Sequence, residues 1–173
     1  MKNINYEQFA YYPTLRTRNA ELKGLEMLDE DRKRRIVPLI TLGKWPRSDD
    51  IADSAEKVKK IMGDRPYFID LPDNDTHHTE NSKELLDSRS AFANWRNFVE
   101  SQENAIPVIQ FNGGNRREIV QQALKLESNL GRLAFRIRDF QRDPLLTVAA
   151  LSALDEVENA LVFVDAQYIR SAY

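Results

Sequence analysis

The sequence predicts an α/β fold built from alternating β-strands and α-helices. Three observations carry that reading. Short apolar runs rich in Val, Ile and Phe recur along the chain. Each is near strand length and almost unbroken by polar residues, the pattern of strands buried on both faces. Between them lie longer segments whose apolar residues recur at helical spacing. The alternation has no composition break and no long linker, so residues 1–173 read as one βα domain.

The elements follow in order. A first strand is expected over residues 10–15 (AYYPTL). A helix over 21–31 carries a rough stripe of Leu22, Leu25, Met27 and Leu28. The second strand is 36–42 (IVPLITL). The helix over 50–62 sets Ile51, Ala55, Val58 and Ile61 or Met62 on one face. Ser48, Asp49 and Asp50 offer oxygens to its first amides, and Gly63 supplies a stop. The third strand is 67–71 (YFIDL). The next helix, 81–101, offers Leu85, Phe92, Trp95 and Val99 to a core. The fourth strand, 106–111 (IPVIQF), leads through Gly113 and Gly114 into a helix over 116–127 with Ile119, Ala123 and Leu126 inward. The fifth strand is 133–137 (LAFRI). In the helix over 144–157, Asp143 can cap and Pro144 takes the first helical position. The sixth strand is 160–166 (ALVFVDA). Pairs of an apolar residue and proline open three strands: Tyr12-Pro13, Val37-Pro38 and Ile106-Pro107. Proline lacks an amide donor, so it belongs where the ladder is still incomplete.

Strands alternating with helices imply parallel pairing and right-handed crossovers. Strand starts recur every roughly 25–40 residues, as βα units require. Two architectures compete. A doubly wound parallel sheet closes its core with five or six strands. An eight-stranded barrel takes about 250 residues, so this chain holds about three-quarters of one. The sequence stops soon after the sixth strand with no covering helix. The expectation is therefore a TIM-barrel-like fold of about six strands, incomplete within this chain, with the doubly wound sheet as the alternative. An incomplete barrel leaves apolar strand edges, which associate readily. A protein partner, a second copy or a further C-terminal segment is expected to cover them.

Composition excludes several functions. Lys plus Arg number 25 against 27 Asp plus Glu, so a histone-like polybasic binder is ruled out, while a local nucleic-acid patch is not. There is no cysteine, hence no disulfide framework, thiolate metal site or cysteine nucleophile. The two histidines are adjacent, which argues against a multi-histidine metal site, and no metal or cofactor is assigned. The N-terminus lacks the apolar core of a signal peptide, and no run approaches the ~20 apolar residues of a membrane span. The cytoplasm is the expected compartment.

The N-terminal block is the most distinctive segment. It reads Tyr11-Tyr12-Pro13-Thr14-Leu15-Arg16, then Glu21-Leu22-Lys23-Gly24-Leu25, then Ile36-Val37-Pro38-Leu39-Ile40. It resembles the Beta protein family of phages, phage satellites and mobile elements. Members of that family open with a Y-x-P-x-L-(R/K) strand, an E-L-x-A-L helix and an I-x-P-(L/I) strand. Here Gly24 replaces the usual Ala, and Thr41 stands where an acidic residue often closes the second strand. The resemblance covers about the first 45 residues. It implies a longer βα barrel and an association with defence against phage, and it brings no catalytic motif.

Ligands of parallel βα folds bind at the carboxyl ends of the strands. That rule selects Arg16 and Arg18, with Glu21, after the first strand. It selects Lys44 and Trp45 after the second, Asp70 and Asp73 after the third, and Gln110 and Asn112 after the fourth. Arg136, Arg138 and Asp139 follow the fifth strand, and Asp165 and Gln167 the sixth. Such a rim suits a phosphate-bearing or nucleotide-like ligand. Arg16, Arg18, Lys44, Gln110, Arg136 and Arg138 would bind it, and Asp70 and Asp165 would serve as catalytic carboxylates. The same residues also suit a solvated rim of ion pairs between strands. Asp70 interrupts an apolar run, and a buried carboxylate requires a partner, for which Arg138 or Lys44 is in place.

Other motifs favour structural explanations. His77 and His78 read as a solvated loop. Gly113-Gly114-Asn115-Arg116-Arg117 reads as a tight turn into a helix rather than an anion cradle. Arg32-Lys33-Arg34-Arg35 follows Asp29, Glu30 and Asp31 and suits a helix C-terminus. Trp95 fits the core, and Trp45 a partly exposed lid or interface. Two functions follow: a component of a phage-defence or mobile-element cassette acting through protein contacts, or an enzyme acting on a phosphate-bearing substrate at the strand-end rim.

Overall fold

The computed structural model describes residues 5–45, 48–73 and 78–166. The apolar runs form six parallel strands among these residues: β1 (Thr14–Arg16), β2 (Leu39–Thr41), β3 (Tyr67–Asp70), β4 (Ala105–Pro107), β5 (Leu133–Ile137) and β6 (Ala160–Val164). Seven α-helices lie between them: α1 (Asn19–Glu26), α2 (Glu30–Arg34), α3 (Ile51–Met62), α4 (Glu80–Leu85), α5 (Arg89–Glu100), α6 (Arg116–Leu130) and α7 (Asp143–Leu151). None of the described helices is long and apolar enough to cross a membrane.

The strands form a sheet in the order β1-β2-β3-β4 and a second sheet of β5 and β6. A parallel bridge between Val108 and Ala134, with the Ile109 amide donating to the Ala134 carbonyl at 2.8 Å, joins the two. Strand order follows chain order, without the reversal that defines a doubly wound sheet.

Side-chain alternation sorts the core into two layers. Ile40, Ile69, Ile109 and Phe135 pack on one face against Val58 of α3, Phe92 and Trp95 of α5 and Ile119 of α6. Leu39, Phe68, Ile106, Val108 and Ala134 line the other face. Among the described residues no α-helix covers that second layer; Tyr6, Phe9, Tyr12 and Phe163 do. Phe68 meets Phe163 edge-on at 5.1 Å between ring centroids.

The second face is concave. Flat strands three places apart would stand about 14 Å from one another. Yet Arg136 of β5 donates through Nη1 to Oγ1 of Thr41 of β2 at 2.8 Å. The ring of Tyr12, just before β1, lies 6.2 Å from that of Phe163 in β6. Only a strongly curled sheet brings its first and last strands into such contact.

Local signals account for most boundaries. Asp50 caps α3 by accepting the Ala52 amide at 2.8 Å, and Gly63 ends the helix at φ 58°. Asn115 and Glu118 form a reciprocal capping box on α6. Four expectations need correction. The helix expected over 21–31 breaks after Met27, because Asp29 starts α2 by accepting the Arg32 amide; Met27 is exposed and off the stripe. The helix expected over 81–101 is two, and Ser90, Ala91 and Phe92 adopt left-handed φ values of 54–59°. That turn sets the Phe92 ring against Gly114, where an added Cβ would fall 2.8 Å from it. Pro107 closes β4 rather than opening it. Asp143 does not cap α7; it is the first helical residue, and its carboxylate turns back toward β5.

Candidate functional site

The alternation that places Leu39, Phe68, Val108, Ala134 and Phe163 on the concave face places every second residue beyond them there too. Those residues are Thr41, Asp70, Gln110, Arg136 and Asp165. The chemistry therefore changes along the strands from apolar to charged, and the charged layer sits at their carboxyl ends.

Asp70 is the hub. Its side chain is 1% exposed, with Arg136 at 10%, Arg138 at 14% and Asp165 at 27%. One oxygen, Oδ1, accepts from the Leu71 amide at 2.8 Å and from Gln110 Nε2 at 2.9 Å. The other, Oδ2, accepts from Arg136 Nη1 at 2.9 Å and from Arg138 Nη2. Arg136 also grips Asp165 Oδ2 through Nε at 2.9 Å and Nη2 at 2.7 Å. Among the described residues two carboxylates face two guanidiniums, and their formal charges balance. Burial works against the charge of Arg136, but the neighbouring Asp70 and Asp165 outweigh it and hold the guanidinium above its ordinary pKa.

Three residues that the sequence did not mark as site residues hold this arrangement. Thr41 accepts the Arg136 proton described above. Gln122 of α6 is fully buried; it accepts the Gln110 amide at 2.9 Å and donates to the Gln110 carbonyl at 3.0 Å, which fixes the segment beyond β4. A signal existed, because position 122 lies on the face defined by Ile119, Ala123 and Leu126. Asp143 is buried and accepts the amides of Arg138 and Asp139, both at 2.9 Å, so it sets the backbone that carries Arg138. Asp139 accepts the amides of Arg142 and Gln141, which hold its carboxyl below the usual range.

Of the residues selected from the sequence, Asp70, Gln110, Arg136, Arg138 and Asp165 come together, and Arg138 is indeed a partner of Asp70. Lys44 is not; it pairs with Asp49. Arg16 is exposed on β1, in register with Thr41 and so beside the cluster. Arg18 is exposed and precedes α1. Asp73 accepts from Asn112 at 2.7 Å. Gln167 and His77 lie outside the described residues. A ring nitrogen of His78 lies 2.7 Å from the Pro72 carbonyl. Gly113 accepts from Ser88 at 2.8 Å, and the α6 start is occupied by its own capping box. Trp95 is fully buried and donates to the Val108 carbonyl at 3.1 Å; Trp45 is half-buried.

With four donors on two oxygens, Asp70 has no lone pair left for a substrate proton. The cluster is built to tie β2, β3, β5 and β6 together across the concavity. Its polar groups are matched to one another.

Comparisons with known proteins bear on the whole chain. A family model described as Beta protein matches residues 11–172. The chain is 42% identical over 168 residues to Protein beta of Enterobacteria phage P4. That match covers 96% of this chain and 47% of the relative, so the chain spans about half the length of the curated protein it matches. No solved structure matches.

Proposed function

The chain belongs to the Beta protein family, and from that premise we propose that it is a component of a phage-defence or mobile-element cassette that works through protein contacts. One observation carries the proposal: the apolar surface lies at the flanks of the sheet. On β6, Val164 is 69% exposed, and Val162 beside it is exposed as well. Leu145 and Val148 on α7, and Phe140 before it, are exposed apolar side chains as well. Exposed apolar surface of this kind marks contact with another polypeptide.

In this reading the fold is of the TIM-barrel type, incomplete within the chain. Sequential parallel strands and the curl that brings Tyr12 to Phe163 support it. The Asp70 cluster then maintains the curl, and the open flanks receive a protein partner or a second copy.

A second reading rests on a separate observation. Arg16 is exposed beside Thr41, with Arg18 exposed two residues on, and the half-buried Asp165 is the most accessible carboxylate of the cluster. A phosphate-bearing substrate could bind those arginines, with Asp165 as the base.

Light scattering coupled to size exclusion, with a thermal-shift panel of nucleotides and divalent metals on the same sample, separates the two. The contact reading expects self-association or partner-dependent solubility and no ligand shift. A monodisperse monomer whose Tm rises with one phosphate ligand, and falls back with Arg16→Ala, overturns it in favour of the enzyme.

A further inference from the structure

On the outer side of β1 lies a groove of about 500 Å³. Pro13 and Leu15 of the β1 segment, Gly24 of α1 and Leu28 form much of its apolar lining, and Arg32 and Arg35 stand at its border. We infer that this groove seats an amphipathic helix with carboxylates opposite Arg32 and Arg35, and that the helix comes from the portion of the family polypeptide that this chain does not span. The inference rests on the contact reading above and names the occupant of one flank.

The shape argues for a helix. Gly24 stands inside α1, where glycine costs about 1 kcal/mol relative to alanine. Its φ is ordinary and a Cβ there would meet nothing within 4 Å, so neither the backbone nor packing within the chain requires it. What the missing side chain does is lower the wall of the groove. Ala20, one turn earlier, is also small and lines the same space. Small residues one turn apart let a second helix approach closely, near the low end of the 8–10 Å range between packed axes.

Charge argues for its polarity. Arg35 is exposed and has no ion pair among the described residues. Among the described residues Arg32 pairs only with Asp29, at 3.3 Å on the surface, where such a pair contributes little. Both cations are available to carboxylates on an incoming helix.

The source follows from the sheet. Among the described residues β1 pairs only with β2, and β6 only with β5, while the curl turns these two outer strands toward each other. The phage P4 relative is about twice the length of this chain and so carries further polypeptide.

The chain has no cysteine, so Tyr11→Cys introduces a single thiol at the groove, at an exposed lining position that leaves Ala20 and Gly24 unchanged. Its labelling rate is measured in the chain alone, with the unmatched portion of the phage P4 relative added as a separate polypeptide, and with that portion fused to the chain. The thiol is expected to react freely alone and about tenfold more slowly in at least one of the other two, as ~90% occupancy requires. Arg32→Glu with Arg35→Glu should restore fast labelling of the mixture, or of the fusion where only that is protected. A thiol that stays fully reactive in both mixture and fusion overturns the inference, whatever the folding of the added portion. So does a thiol protected in the chain alone as concentration rises, which would assign the groove to a second copy. Neither result touches the contact reading, which fails by a ligand-driven thermal shift instead.

Discussion

Strands β2 to β4 are buried at every residue, and β5 over its first three, whereas β1 and β6 alternate between half-buried and exposed. In β6 the residue types match those of the centre. Ile40 and Ile69 in the centre and Val162 and Val164 in β6 are all β-branched aliphatics suited to a strand. What differs is cover. Helices α3, α5 and α6 close over the outer face of the centre, while nothing among the described residues lies over Val164. Burial here is a property of the neighbours a strand acquires. A strand's own sequence states only what it can tolerate.

That contrast can be tested by substitution, beginning in the centre. Phe68→Ala removes a ring that meets Tyr6, Tyr12 and Phe163, and should cost about 3–5 kcal/mol in urea unfolding. A loss below about 2 kcal/mol would mean that the concave layer is loosely packed and the centre no better filled than the flanks. Asp70→Ala takes from the largely buried Arg138 its carboxylate partner and leaves Arg136 with Asp165 alone, and should cost a comparable ~3–5 kcal/mol. A Tm nearly unchanged by Asp70→Ala would remove the structural role assigned to the cluster and favour the enzyme.

Alkaline pH probes the centre differently. Burial, with a smaller push from Glu56, raises the Tyr67 phenol to about 12. Below pH 10 both folded and unfolded forms are protonated and stability does not depend on this group. Above pH 10 the unfolded phenol loses its proton while the folded one keeps it, so stability falls as pH rises toward 12. A two-unit separation corresponds to roughly 2–3 kcal/mol. Tyr6, also raised to about 12 by burial, acts in the same direction. Tyr67→Phe should therefore reduce the alkaline loss without abolishing it, and an unaltered profile would show that Tyr67 is wetter than its position implies. The smallest effect is expected at the flank. Val164→Ser should change the stability of the chain alone by no more than about 0.5 kcal/mol, and a larger loss would reveal that the β6 face is already covered.

Much of this was legible in the sequence. Each apolar run held a strand, and alternation placed Asp70, Arg136 and Asp165 on one face once the strands were known. Asp70 stood out because a carboxylate inside YFIDL needs a cation, and Arg138 is that cation. Lys44 was an equal candidate on paper; the loop after β2 instead turns it to Asp49. The left-handed turn at Ser90, Ala91 and Phe92 left no trace, since none of the three is the Gly, Asn or Asp that usually adopts such angles. Gln122 was hidden for another reason. Helical spacing marks the inward face, but a polar residue on it is normally read as a break in the stripe.

The bond from Arg136 to Thr41 spans 95 residues, and it has a consequence for synthesis. The chain is made from its N-terminus, so Asp70 emerges long before either of its arginines. Until residues 136–138 are available, a curled arrangement of β1 to β4 would enclose a carboxylate with no cation beside it. The nascent sheet therefore gains by staying flatter and more hydrated until β5 arrives. The fifth strand thus supplies in time the cations that make the concave arrangement of the earlier strands tolerable.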